Sequence, residues 1–331
     1  SGKTFHIIGT GPAGLFCGLR LISHGARVIF FEQGKPVEER FKDIRHLEKS
    51  GTLDTESNVL FGEGGAGTYS DGKLYTRSNR PESEWIYNKL LEYGAPEEIA
   101  WDSHPHIGTD RLAGVIKNIR FSILSAGSEI FFQEKITDFR INSGKCRGFI
   151  TSAGREISAE NLILAIGHSA RDTLEVLYKN SVAMEKKGFA AGVRLEHPAE
   201  LINQIQYGKD YRKYNLPAAE YRLVYTNPET GRGIYSFCMC PGGRIINSSS
   251  EPGGLCTNGM SNSKRDYEKS NAAIVVTVRP EDCPDGPLGG IEFQRELESK
   301  AFLAGGGEFY APVQKLTSFL SRKHDRIDSG I

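Results

Sequence analysis

The segment Gly9-Thr10-Gly11-Pro12-Ala13-Gly14 limits what this chain can fold into more than any other. It stands between Thr4 to Gly9, which reads as a short buried strand, and Pro12 to His24, where Ala13, Phe16, Cys17, Leu19 and Leu21 fall at helical spacing before Gly25 stops the run. Val28-Ile29-Phe30-Phe31 reads as a second buried strand. Strand, helix and strand within about 30 residues form a βαβ unit, which requires parallel strands and a right-handed crossover. A G-x-G-x-x-G turn at that junction is a dinucleotide-binding fingerprint. Gly9 permits the tight turn, Gly11 lets backbone approach a pyrophosphate, Gly14 lets helix pack on strand, and the helix N-terminus favours the anion. Glu32, about 18 residues beyond Gly14, is placed to accept hydrogen bonds from ribose hydroxyls.

Further along, Val37 to Lys49 reads as a charged amphipathic helix, and helices are expected at Glu82 to Tyr93 and Asp110 to Ala126. The stretch Gly51 to Asn79 is too long and too rich in Gly, Ser, Thr and Asp for an ordinary connection, which points to function. Glu129 to Phe132, Lys135 to Ile141 and Gly148 to Ser152, with turn sequences at Asn142-Ser143-Gly144 and Ala153-Gly154-Arg155, predict an antiparallel meander before another buried strand, Asn161 to Ile166. Beyond residue 173, strands of mixed polarity are expected at Gly188 to Leu195, Ala219 to Thr226, Gly233 to Met239, Arg244 to Asn247 and Ala272 to Val278, with helices at Gly290 to Leu303 and Ala311 to Arg322. The fold class is therefore α/β: a Rossmann-like dinucleotide-binding domain with a parallel sheet and β-meander over residues 1–172, rejoined by 305–331, plus a second, mainly antiparallel α+β domain over 173–304 that carries substrate or acts as a cap.

Composition excludes some functions. Lys plus Arg and Asp plus Glu are 41 each, so the net charge is zero. Neither nucleic acid nor a membrane surface is an expected partner, because both call for a basic excess. Six cysteines in 331 residues are too sparse for a disulfide scaffold, and no apolar run reaches transmembrane length, so the expected location is the cytoplasm or another reducing, soluble compartment. Glycine is in excess at 38 residues, about 11% against a usual 7% or so.

Two further glycine patterns are decoys. Gly62-Glu63-Gly64-Gly65-Ala66-Gly67 repeats G-x-G-x-x-G, but the following Thr68-Tyr69-Ser70-Asp71-Gly72 cannot open an amphipathic helix. Gly67 to Lys73 fits the body of a Walker A loop, yet Leu74 stands where a Mg²⁺-binding Ser or Thr is required. The dinucleotide itself is open between NAD(H), NADP(H) and FAD. The N-terminal position of the motif, the Pro12-Ala13 variant and the late strand ending Leu164-Ala165-Ile166-Gly167 lean towards FAD.

The run Leu53-Asp54-Thr55-Glu56-Ser57-Asn58-Val59-Leu60-Phe61-Gly62-Glu63-Gly64-Gly65-Ala66-Gly67-Thr68-Tyr69-Ser70-Asp71-Gly72-Lys73-Leu74, together with Tyr235-Ser236-Phe237-Cys238-Met239-Cys240-Pro241-Gly242-Gly243, resembles a family of poorly characterised FAD-dependent dehydrogenases of glutathione-reductase-like fold. The resemblance implies FAD extended along the first βαβ unit. Gly9, Gly11, Pro12, Ala13 and Gly14 would hold the pyrophosphate, Glu32 and Gln33 the adenosine ribose, and the Ile136 backbone the adenine. Arg40 and the loop of Gly64, Gly65, Ala66, Gly67 and Ser70 would face the phosphates and flavin, with Ala165 and Gly167 beside them. The family's C-terminal glycine-acid-glycine segment, which caps the flavin, has no counterpart before Ile331, so a truncated chain is expected.

The activity expected from this resemblance is a FAD-dependent oxidoreductase. It would pass hydride through flavin N5 between a small-molecule substrate and a donor or acceptor such as NAD(P)H. An RNA-modifying flavoprotein and a non-catalytic nucleotide-binding module are the alternatives. Lys73 and Asp71 are the candidate catalytic residues, as a cation and its partner that polarise flavin or substrate; a plain turn with a solvated lysine is the bland alternative. No metal site is expected. Cys238 and Cys240 read as two small core residues at a domain interface, with a redox-active thiol as the sharper alternative, because an i, i+2 pair on a strand is poorly disposed for a mutual bridge. His6, His24 and His46 read as structural, His104 and His106 as a turn, and Arg171-Asp172 as an ion pair anchoring the next helix.

Overall fold

The N-terminal run Thr4–Ile8 (β1), Pro12–Ser23 (α1) and Arg27–Phe31 (β2) forms the expected βαβ unit in a computed structural model that describes residues 2–74 and 80–323. Val37–Ser50 (α2), Pro81–Glu92 (α3) and Thr109–Ser125 (α4) follow, then Glu129–Phe131 (β3). Next come Ile136–Asn142 (β4), Lys145–Thr151 (β5), Glu156–Ser158 (β6), Leu162–Leu164 (β7) and Arg171–Lys179 (α5). The parallel sheet has the order β3-β2-β1-β7. Glu129 to Phe131 was expected in the meander, but it pairs in parallel with β2, Phe31 opposite Phe131. Its short run of Ile and Phe suits either partner, and only the return of α4 across the sheet decides.

Alternation along β1 assigns the two faces of this sheet. Ile7 joins Leu15, Leu19, Phe30, Ile116, Ile119 and Ile123 beneath α1 and α4. Ile8 joins Phe31, Ile136, Phe139 and Phe149 on the opposite side, where the antiparallel β4-β5-β6 sheet covers it. Period-two strands buried on both faces are what a parallel sheet requires. Gly14 lies where α1 rises from this sheet, and a Cβ there would overlap the Gly9 carbonyl oxygen.

The rest of the described chain is mainly antiparallel. Phe189–Pro198 (β8), Ala199–Tyr207 (α6), Val224–Thr226 (β9), Gly233–Cys240 (β10), Gly243–Asn247 (β11), Thr257–Ser261 (β12), Lys269–Val278 (β13), Gly289–Ala304 (α7) and Leu316–Leu320 (α8) follow in order. They build a β8-β13-β10-β9 sheet and a separate β11-β12 pair. Two details differ from the expected elements: Ala219 to Leu223 is not strand, and α8 covers a fraction of Ala311 to Arg322. Arg171 does not pair with Asp172: it is buried against Glu251 and Glu298, which binds the N-terminus of α5 to α7, while Asp172 pairs with Lys135. Long-range partners at better geometry outcompete the sequence neighbour.

Among the described residues no helix is long and apolar enough to cross a membrane. Gly14→Ala is expected to destabilise the fold by about 1–3 kcal/mol through overpacking at the α1 to β1 junction, read as a lower urea midpoint; an unchanged midpoint would contradict the close packing.

Candidate functional site

The carboxyl ends of β1 and β7 meet at the first glycine turn. Gly9 takes φ of +100°, and a Cβ there would lie 2.5 Å from the Ala165 carbonyl oxygen, so the turn tolerates no side chain. Ala165 N–H donates to Ile8 O at 2.8 Å, and Gly167 turns away with φ of +69°. Pro12 opens α1 without a side-chain cap. The first-turn amides of a helix have no intrahelical acceptor, so those of Ala13 and Gly14 point outward from α1. A crevice outside the carboxyl ends of parallel strands is where open α/β sheets bind ligands.

Glu32, at the end of β2, is buried and faces this turn. Its Oε2 accepts from the Thr10 amide and the Thr10 hydroxyl, both at 2.8 Å, and its Oε1 accepts from Gly34 N–H at 2.9 Å. Three of about four carboxylate lone-pair positions are thus engaged. Gln33 is half-buried beside it, and Glu134 N–H donates to the Glu32 carbonyl, so Ile136 starts β4 two residues from this corner with its side chain in the core. Thr10 was not singled out from the sequence; its place within the glycine motif was the available signal.

The second glycine cluster folds over the first. Gly64 N–H donates to Thr10 O at 2.9 Å, and a Cβ on Gly65 would stand 3.1 Å from Gly11 Cα. Ala66–Tyr69 makes one 3₁₀ turn and no α-helix follows, in accord with the decoy reading of Gly62 to Gly67. Gly67 has open space in front of it, and the Ser70 hydroxyl closes the turn by donating to Gly67 O at 2.8 Å.

Arg40 holds this loop, and its place corrects the expectation that it faces a ligand. The side chain is fully buried behind the loop. Nε donates to Asn58 O at 2.7 Å, Nη2 to Val59 O at 2.6 Å, and Nη1 to Glu63 O and Gly65 O at 2.8 Å each, with Gly62 O at 3.4 Å. The Tyr69 ring covers the guanidinium at 4.8 Å. Burial pushes Arg40 down to about 10, against the pull of Tyr69, Glu32 and Glu63. A guanidinium that spends its donors on backbone carbonyls shapes the loop and has little left for a phosphate.

Asp71 and Lys73 leave the loop in another direction. Asp71 is buried and accepts from Arg265 through both carboxylate oxygens, and Lys73 Nζ stands 3.6 Å from it while donating to Met239 O. Arg265 also binds Glu220 at 2.8 Å. The pair is therefore not a solvated turn. It joins the glycine loop to the antiparallel half through partners nearly 200 residues away in sequence, which no local pattern discloses.

Residues 188–329 match the family model described as FAD-dependent protein, C-terminal domain-like. An uncharacterized protein of Clostridium beijerinckii is 47% identical over 326 residues, covering 98% of this chain and 60% of the relative. The chain thus spans about three fifths of the curated relative it matches. Among solved structures, CtdE in complex with FAD is similar over 84% of this chain and 60% of its own, with 14% identity and a TM-score of 0.36. The tetracycline destructase Tet(51) is similar over 92% and 63%, with 12% identity and a TM-score of 0.38. Likeness at these scores says nothing about chemistry.

Glu63, behind the loop, is fully buried. Its Oε2 accepts from Val37 N–H and from Arg120 Nη1, both at 2.9 Å, while Oε1 has no partner. Burial pushes its carboxyl up to about 7, with the Val37 amide and Arg120 acting in the other direction. The unfolded chain returns it to 4.5, so between pH 4.5 and 7 the native state holds more protons than the unfolded one. The contribution of this group to stability is fully present below that window and lost as pH rises through it. Glu63→Gln cannot ionise, so its stability relative to wild type is expected to climb from pH 4.5 to 7 and level off above. Urea unfolding at stepped pH reads this, and parallel profiles for the two proteins would refute it.

Proposed function

We propose that this chain forms the FAD-binding part of a flavin-dependent oxidoreductase acting on a small molecule. The observation that carries the reading is the open backbone cradle at Gly11. A Cβ there would meet nothing nearer than Gly65 Cα at 3.8 Å, while its φ of −69° and ψ of −179° suit any residue. Nothing in packing or backbone conformation calls for glycine at this position, and its bare backbone leaves room for a pyrophosphate to approach closely. The description of the family model over residues 188–329 supports FAD over a nicotinamide dinucleotide in this place.

In this reading the amides of Ala13 and Gly14 at the start of α1, set by Pro12, receive the pyrophosphate, and the helix dipole favours its charge. Thr10 holds Glu32 in the orientation that leaves one acceptor position for a ribose hydroxyl, with Gln33 beside it and the Ile136 backbone towards the base. Gly9, Ala165 and Gly167 keep the floor of the crevice free of side chains. Gly64, Gly65, Ala66, Gly67 and Ser70 roof it and exclude water from the dinucleotide. FAD, when bound, supplies electron and hydride transfer at its isoalloxazine ring. Exchange of hydride with a small-molecule substrate and with NAD(P)H is the finer proposal. Lys73 and Asp71 enter as positioning residues, because both are engaged with Met239 and Arg265.

The test is equilibrium uptake of FAD by apo-protein, followed through quenching of flavin fluorescence. Wild type is expected to bind stoichiometrically. Gly11→Ala is expected to keep the wild-type urea midpoint yet bind FAD about ten-fold or more weaker, on the order of 1.4 kcal/mol. Wild-type protein that takes up no flavin would overturn the reading.

A further inference from the structure

Cys238-Met239-Cys240 closes β10 where the strand leaves a regular ladder. Pairing with β13 slips between Phe237 and Cys240, and Cys238 takes φ of +45°, in the left-handed region. On a regular strand, residues i and i+2 stand about 6.6 Å apart with parallel Cβ bonds, at the outer limit for a disulfide. The bulge breaks that regular spacing. Cys240 Sγ donates to the Cys238 carbonyl at 3.4 Å, so its sulfur lies back towards residue 238.

The two sulfurs sit in unequal surroundings. Cys240 is fully buried, backed by Gly259, where a Cβ would lie 2.7 Å from its sulfur. Cys238 is half-buried. Lys73 Nζ bonds the carbonyl of Met239 between them, and Arg194 Nη1 lies 3.5 Å from the Cys238 carbonyl. Asp71 is the opposing charge, and Arg265 is bonded to it. The neighbouring Cys240 side chain, then Lys73 and Arg194, holds the Cys238 thiol below its usual range despite burial, and the same pairing and burial push Cys240 up. An accessible thiolate backed by a buried thiol is the arrangement that performs disulfide exchange.

We propose that Cys238 and Cys240 form a thiol–disulfide exchange site, with Cys238 as the attacking sulfur, Cys240 as the resolving sulfur and a low-molecular-weight disulfide as substrate. The Cys238 thiolate attacks one sulfur of the substrate, forming a mixed disulfide as the substrate S–S bond breaks and the first thiolate leaves. Cys240 then gives up its proton and attacks Cys238 Sγ, forming the Cys238–Cys240 bond and expelling the second thiolate. Two protein thiols are oxidised, one substrate disulfide is reduced to two thiols, and the two protons released from the cysteines are taken up by the products. Lys73 is the positioning residue that stabilises the attacking thiolate.

The experiment equilibrates the full chain with glutathione disulfide, blocks residual thiols and maps peptides by mass. The peptide Gly233 to Arg244 carries both cysteines and is expected two hydrogens lighter, with the six free thiols of the reduced chain falling by two at these positions. Cys240→Ser is expected to arrest the reaction as a glutathione adduct on Cys238. The pH midpoint for alkylation of Cys238 in the reduced wild type should lie below the usual thiol value of about 8.5, rise in Lys73→Met and be restored in Lys73→Arg. A peptide 233–244 that stays fully reduced in wild type, or an ordinary midpoint unaffected at Lys73, would overturn the proposal, and neither readout depends on flavin.

Discussion

A single buried guanidinium organises the region on which the rest depends. Arg40 places its donors on the carbonyls of Asn58, Val59, Glu63 and Gly65, and the loop that carries these groups has almost no secondary structure of its own. Without that cation, the carbonyls of Asn58, Val59 and Glu63 would lose this donor, an expensive omission in a low-dielectric interior. With it, the glycines can lie close to the first strand-to-helix turn, because no side chains are needed to hold them there. Glycine supplies close approach and arginine supplies the rigidity that glycine lacks.

The loop is also the joint between the two sheet systems. Arg40 from α2 and Tyr69 from the loop bind it to that helix, and beyond Tyr69 the residues Asp71 and Lys73 bind it to Arg265 and Met239 in the antiparallel half. A second joint, around Arg171, Arg295, Glu251 and Glu298, binds α5 to α7. Both are multidentate arginine and carboxylate networks, a geometry that fixes orientation more strictly than apolar contact does. Breaking one partner of such a buried pair is costly even where the intact pair adds little net stability.

The zero net charge takes on a structural meaning in this light. Many of the 82 charged side chains occupy specific, partly buried pairs, so charge balance reflects internal matching. The bulge at Cys238 depends on the same matching. Two cations beside two sulfurs are tolerable because Asp71 and Asn271 stand opposite them.

Read alone, the sequence determined the βαβ unit, the glycine turn at its first junction and the acid at Glu32, because these depend on spacings of a few residues. It also separated a parallel half from an antiparallel one through the change in strand patterning. It misplaced Glu129 to Phe131, missed α6 and β12, and assigned Arg40 to a ligand and Arg171 to its neighbour. Those errors share one cause. Strand partners, the direction of a long charged side chain and the register slip at Cys238 are set by groups tens to hundreds of residues away. Local pattern carries the periodicity of an element, whereas the tertiary structure alone selects which distant donor meets which acceptor once water has been excluded.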